Sequence, residues 1–229
     1  TARSIQDERA RLGLDRSLTE QFGAWLGRAA RLDFGTSLMY GRPVAGLVAE
    51  RARNTLLIAA AALALALLAG LPLGVVSGSR RGLAPGAIRA ASLAALSMPT
   101  LVSSLLLVLV AARTGWLPIG GMTSAGAEAA RGWLAGAADL ARHMIVPTLA
   151  LALPLAATIE RLQSQAIAET MGERFVMAAR ARGVPERRVL WRHVLKPSLR
   201  PVAAVFGIIF GNLLSGSFVV EIVTSWPGL

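Results

Sequence analysis

From Leu56 to Val76 the chain carries no charged side chain. A helix rises about 1.5 Å per residue, so roughly 21 such positions reach across the hydrocarbon core of a bilayer, about 30 Å thick. Lipid offers no partner to a backbone N–H or C=O, so a segment that crosses must satisfy them internally, as a helix does. This run makes an all-α, polytopic membrane protein the starting expectation. Three more apolar runs support it. The first span reads as Asn54 to Gly78, the second as Ala87 to Ala112, the third as His143 to about Leu162, and the fourth as Ser198 to about Val223. Ser97-Met98-Pro99-Thr100 interrupts the second span, and a proline there frees a carbonyl and predicts a kink. Pro147 and Pro154 fall in the third.

The composition agrees: 54% of residues are hydrophobic and 16% charged, against about 25% charged in a soluble domain. Cysteine is absent, which excludes a disulfide framework and a thiolate metal site. His143 and His193 stand far apart and show no metal-ligand spacing. No catalytic constellation and no G-x-x-x-x-G-K-[ST] phosphate loop is present, so the chain reads as a non-enzyme without a cofactor. The net charge of +11 suits nucleic acid or membrane loops equally by magnitude. Its placement decides, because the basic residues flank apolar spans and form no groove with interleaved aromatics.

Loop charge also sets orientation. The connections after spans one and three lie on one side and carry Arg80, Arg81 and the cluster from Arg161 to Arg200, which holds eight arginines, one lysine and three glutamates. The connection after span two carries Arg113, Arg131 and Arg142, offset by Glu128 and Asp139. The positive-inside rule places the first group in the cytoplasm and residues 1–53 outside. That outer segment holds nine Lys/Arg and six Asp/Glu, which is allowed if it crosses as a folded unit. Within it Ser17-Leu18-Thr19-Glu20 has the capping-box pattern. Leu18, Phe22, Trp25, Leu26 and Ala29 then share one face of a helix, expected to pack on its own protein. Gly70, Gly74 and Gly78 recur every four residues, as do Gly207, Gly211 and Ser215. Such stripes let another helix approach closely.

The segment 163–200 is more than a connector. Met171 to Arg182 reads as a helix ended by Gly183, a good C′ residue. Pro185 suits the first position of a second helix, 185–195, that ends before Lys196-Pro197. Two short helices across a tight bend form a platform. The bland alternative is a charged loop that only sets topology.

MAARARGVPERRVLWRHVLKP resembles the EAA loop of type-I ABC importer permeases in the dipeptide/oligopeptide branch. Ala178, Ala179, Gly183 and Pro197 match that signature. Met177 stands where the motif has its glutamate, so no role for that carboxylate is carried over. LGLDRSLTEQFGAWL, RPVAGLVAERARNTL, GLPLGV, SMPT, RTGWLPIGG, VPTLALALPLAA and EIVTSWPGL also look like this branch, in family order. The resemblance implies a type-I ABC permease (MetI-like) core over residues 54–229, with a coupling loop at 163–200 and an extracytoplasmic segment at 1–53. Family members have six membrane helices. The four spans would be the second to fifth, and the first and last would lie outside the chain, as its start at Thr1 and its stop after Trp226-Pro227-Gly228 suggest.

The resemblance further implies a peptide importer in the bacterial inner membrane. Its expected partners are a second, homologous permease, two cytoplasmic ATPases docked on the EAA loops, an external substrate-binding protein and membrane lipid, but no nucleic acid. The implied docking face is Ala178, Ala179, Arg180, Arg182, Gly183 and Arg187. The implied translocation path includes Ser97, Thr100, Asn212, Ser215 and Ser217, for each of which a hydrogen bond between helices is the plainer role. A nickel or other metal chelate is the rival substrate. The rival from another class is a secondary transporter driven by an ion gradient, which usually needs an ionisable group inside the membrane. Arg89, Glu160, Arg161 and Glu221 are expected near span ends, where charge reaches headgroups cheaply.

Overall fold

The computed structural model describes residues 17–124 and 132–229, and its described residues divide at Arg53/Asn54 into two compact units. The charges at Glu128 and Arg131, and the first residues of the LGLDRSLTEQFGAWL match, lie outside the described residues.

In the first unit, helix α1 (Leu18–Ala29) begins as its sequence dictates. Ser17 caps it, with its hydroxyl accepting from the Glu20 N–H while Glu20 reaches back to the Ser17 N–H at 3.1 Å, so two orphan donors are satisfied together. Phe22 and Trp25 stack with ring centroids 6.0 Å apart. No residue of α1 is buried. Among the described residues nothing covers its apolar face, and Leu18, Phe22, Trp25 and Leu26 are all at least half exposed. Arg51 donates to the Tyr40 hydroxyl at 3.1 Å and lies 5.4 Å from the centre of its ring.

Helix α2 runs from Val44 to Ser79, well beyond the expected first span at its start. Helix α5 (Trp133–Met171) extends the third span in both directions and passes through Pro147 and Pro154 without a break. At about 1.5 Å per residue both outreach the hydrocarbon core and project into the aqueous phase. Helix α9 (Arg200–Val223) is the fourth span.

The second span departs from expectation. It comprises α3 (Leu83–Ser97) and α4 (Thr100–Thr114), whose axes differ by 102° across Met98-Pro99. A proline kink predicts a bent rod. Here Met98 and Pro99 are both extended, with ψ of 121° and 141°, and Pro99 starts a new helix rather than bending an old one. Among the described residues three helices are long and apolar enough to cross a membrane, four if α3 and α4 together count as one span.

Helix α5 is the hub of the second unit, packed by α3, α4 and α9 and by α2. The α2 contact rests on glycine. A Cβ at Gly70 would lie 2.7 Å from the Ala156 carbonyl oxygen and 2.9 Å from the Ile159 Cβ. One at Gly74 would lie 2.6 Å from the Gln163 Cβ, and one at Gly78 would collide with the Ser164 carbonyl oxygen. Three turns of α2 therefore lie backbone to backbone on α5. Ile58, Ala59, Ala62 and Ala66 of α2 share one core with Ala150, Leu151 and Ile159 of α5 and with Ile209, Leu213 and Val220 of α9.

At one end of this bundle the stretch after α9 folds back. The Trp226 indole N–H donates to the Asn54 carbonyl at 3.1 Å, and the Asn54 amide donates to the Pro227 carbonyl at 2.9 Å. The Gly121 N–H donates to the Thr224 carbonyl at 2.9 Å. The neighbouring Gly120 comes so close to that carbonyl that a Cβ would lie 2.6 Å away.

Candidate functional site

The segment after α5 begins with α6 (Arg174–Ala181), later than the expected start at Met171 because α5 itself runs to Met171. Gly183 then adopts φ +77°, the left-handed conformation expected of a C′ residue. Pro185 stands one place earlier than expected, as the cap of α7 (Glu186–Arg188) rather than its first residue. A π-helical turn, Val189–Val194, follows, and α8 (Leu195–Ser198) continues through Lys196-Pro197 instead of stopping before it. A π turn is rare and costs hydrogen-bond geometry. Here it buries Val189 and Val194 together.

Those two valines close a second, smaller core with Val176 and Ala179 of α6, Val75 of α2 and Ile167 of α5. The loop is thereby fixed to the ends of the two longest helices. Gln163 of α5 adds a buried hydrogen bond to the Ser198 hydroxyl at 2.9 Å. A displacement of the loop must carry α2 and α5 with it, because a close-packed core does not deform smoothly.

The six residues expected to form a docking face separate into two groups. Ala178, Arg182, Gly183 and Arg187 are exposed. Ala179 has no exposure and faces this inner core, so it is small to admit Val189 and Val194 rather than a partner. Arg180 is clipped to Glu186 by two hydrogen bonds, Nε to Oε1 at 2.8 Å and a terminal nitrogen to Oε2 at 3.2 Å. It braces the bend and presents only part of its charge outward. Sequence reasoning missed the exposed apolar side chains of this loop. Phe175, Met177 and Trp191 are about half exposed. Trp191 also lines two hollows, one with Pro185, Arg187 and Arg188, the other with Ser79, Arg80, Met171, Glu186 and Leu190. Of the three exposed side chains, Met177 was visible in the sequence, standing in place of an acidic residue.

Of the membrane candidates, Thr100 and Asn212 come together. They line a cleft of about 210 Å³ between α4, α5 and α9, with Thr158, Pro154, Leu151 and Gly216. Thr158 escaped the sequence reading, although its position one turn after Pro154 placed it on the same face. Ser217 is buried at 1% exposure and donates to the Leu214 carbonyl of its own helix, so it belongs to packing. Ser97 is exposed and donates to the Leu93 carbonyl at 2.8 Å, capping the end of α3. Ser215 is exposed and does not line the cleft.

Glu160 and Glu221 overturn one expectation. Both lie near span ends, yet neither reaches outward: Glu160 is 1% and Glu221 3% exposed. Both Glu221 carboxylate oxygens, and Oε2 of Glu160, lack a hydrogen-bond partner among the described residues.

A bundle of long apolar helices, one of them broken, with a rigid aqueous loop bolted to two others, defines a polytopic membrane-transport subunit. Residues 70–229 match the family model described as the binding-protein-dependent transport system inner membrane component, and the chain belongs to that family. It is an inner-membrane permease component. It is 33% identical over 230 residues to the glutathione transport system permease protein GsiC of Escherichia coli (strain K12), covering the whole chain and 70% of that protein. It is 33% identical over 220 residues to the oligopeptide transport system permease protein AppB of Bacillus subtilis (strain 168), covering 95% of this chain and 68% of that protein. A Brucella ovis protein, provisionally named a peptide permease, is 36% identical over 224 residues, 96% of this chain and 68% of the relative.

Proposed function

We propose that this chain is a permease subunit of an ATP-driven importer of short peptides, paired with a second permease and coupled to two cytoplasmic ATPases through the loop at 163–200. The substrate class rests on relatives named for peptide, oligopeptide and glutathione transport. The observation that carries the coupling is the shared core of Val75, Ile167, Val176, Ala179, Val189 and Val194. ATP closes the ATPase pair, the pair drags the loop, and the loop carries α2 and α5.

Ala178, Arg182, Gly183 and Arg187 form the docking face, extended by Met177 and Trp191 and held in shape by Arg180. Guanidinium groups there suit carbonyls and carboxylates of a partner. Thr100, Thr158 and Asn212 line the path at the break between α3 and α4, where a discontinuous helix offers peptide-recognising backbone groups inside the membrane. Residues 54–229 are the permease core, and residues 1–53 face the external binding protein. The chain hydrolyses no ATP itself.

A cysteine at Ala178 or Arg187, in this cysteine-free chain, is expected to cross-link to the ATPase in membranes. One at Trp116, on the opposite loop, is expected not to. Equal cross-linking at both, or at neither docking position, contradicts the docking assignment.

A further inference from the structure

Glu160 and Glu221 are both buried carboxylates, but their surroundings differ. Glu221 is walled in, its carboxylate pressed against Gly228, where a Cβ could not fit. Glu160 lines a cavity of about 570 Å³ that opens at the turn between α2 and α3. Its Oε1 accepts the Ser77 hydroxyl. Its Oε2 has no partner, and no ion pair reaches it among the described residues. A carboxylate out of water without a cation is costly, and an ionisable group within a span is a functional site by default.

The rest of the cavity carries the opposite sign. Arg80, Arg81, Arg89 and Arg161 line it, and all four are exposed while Glu160 is not. A carboxylate thus forms the floor and arginines the rim. Arg89 is held in place by donating to the Ser77 carbonyl at 3.0 Å. Ser79, Ser164 and Gln165 supply further polar groups on the walls.

We propose that this cavity binds a zwitterion, with its primary ammonium on Glu160 and its phosphate or carboxylate among the arginines. An anion alone would meet the glutamate at the floor, and a cation alone would meet four arginines at the mouth. A ligand with both signs, cation innermost, satisfies Oε2 and the rim together. The volume lies within the range of about 300–1,000 Å³ usual for small-ligand sites. The site sits where apolar helices give way to a basic turn, the depth at which basic pockets between membrane helices hold lipid headgroups. Two sources share this chemistry: the headgroup of an aminophospholipid, and a free amino acid or peptide from the aqueous phase. The proposal rests on the membrane placement and not on the transported substrate.

The assembled transporter is reconstituted in mixed phosphatidylethanolamine and phosphatidylcholine, then examined by native mass spectrometry for retained lipid. Choline's quaternary nitrogen has no N–H to give Glu160. The wild type is expected to retain the ethanolamine lipid several-fold over the choline lipid. Glu160→Gln, which keeps volume and the Ser77 contact, is expected to abolish the preference, and the double variant Arg80→Gln/Arg81→Gln to reduce retention. In a second arm, phosphatidylcholine-only nanodiscs are titrated with a dipeptide. Binding by the wild type that Glu160→Gln removes assigns the site to the soluble zwitterion. If Glu160→Gln, with unchanged thermal melting, matches the wild type in both arms, the proposal is overturned. Absence of peptide transport by the wild type, with the ethanolamine preference present and lost in Glu160→Gln, would overturn the substrate reading alone and support this site.

Discussion

Two glycine stripes with the same spacing meet opposite fates in this molecule. Gly70, Gly74 and Gly78 lie on the backbone of α5, and a Cβ at any of them would collide. Gly207 and Gly211, at the same period, have nothing within 4 Å of where a Cβ would stand, and Ser215 is exposed. Spacing therefore encodes a capacity for close approach and leaves open whether the approaching surface belongs to the same chain. The first stripe is internal structure. The second is left uncovered by the described residues, so it contributes nothing to holding this chain together.

That contrast can be broken by substitution. Gly74→Leu drives side-chain atoms into Gln163 and the Glu160 carbonyl, and overpacking of this kind costs about 3 kcal/mol. The folded transporter is expected to be lost from detergent extracts. Gly211→Leu is expected to leave the chain's thermal melting unchanged, and equal losses would abolish the distinction between the stripes. A smaller effect sharpens the same comparison at the loop. Gly183 has open space around it, so Gly183→Val acts through backbone conformation alone, at about 1–2 kcal/mol. Membrane insertion should persist while ATPase copurification falls.

Trp226→Phe removes the indole donor that gives the Asn54 carbonyl a second hydrogen bond beside the one within its helix, and loss of that buried bond costs about 1 kcal/mol, readable as a lowered melting temperature. Weakest of all is Arg180→Ala. Its pair with Glu186 is largely solvent-exposed, so stability should change by less than about 1 kcal/mol. A larger loss would mean that the bend depends on the clip and not on its apolar core.

How much of this was legible follows from the physics of each element. The spans were, because crossing lipid leaves a long apolar run no alternative. The left-handed Gly183 and the Ser17–Glu20 cap were, because both are local. The 102° break was not, since a proline fixes its own φ but says nothing of how far the two halves swing. Burial of Ala179, Glu160 and Glu221 was not legible either. Each sits on a helix whose inward face is decided by neighbours distant in sequence. Asn212 and Thr100, polar amid apolar residues, both line the cleft, whereas Ser97 and Ser217, raised on the same ground, donate their hydroxyls to carbonyls one turn back.

The central claim is that ATPases acting through the 163–200 loop drive this permease. Uptake of a labelled dipeptide into proteoliposomes tests it most directly, with this chain, its partner permease and binding protein assembled with or without the ATPases. The account predicts uptake that requires the ATPases with ATP on their face of the membrane and continues when proton and sodium gradients are collapsed. Gradient-driven uptake in the absence of any ATPase would contradict it.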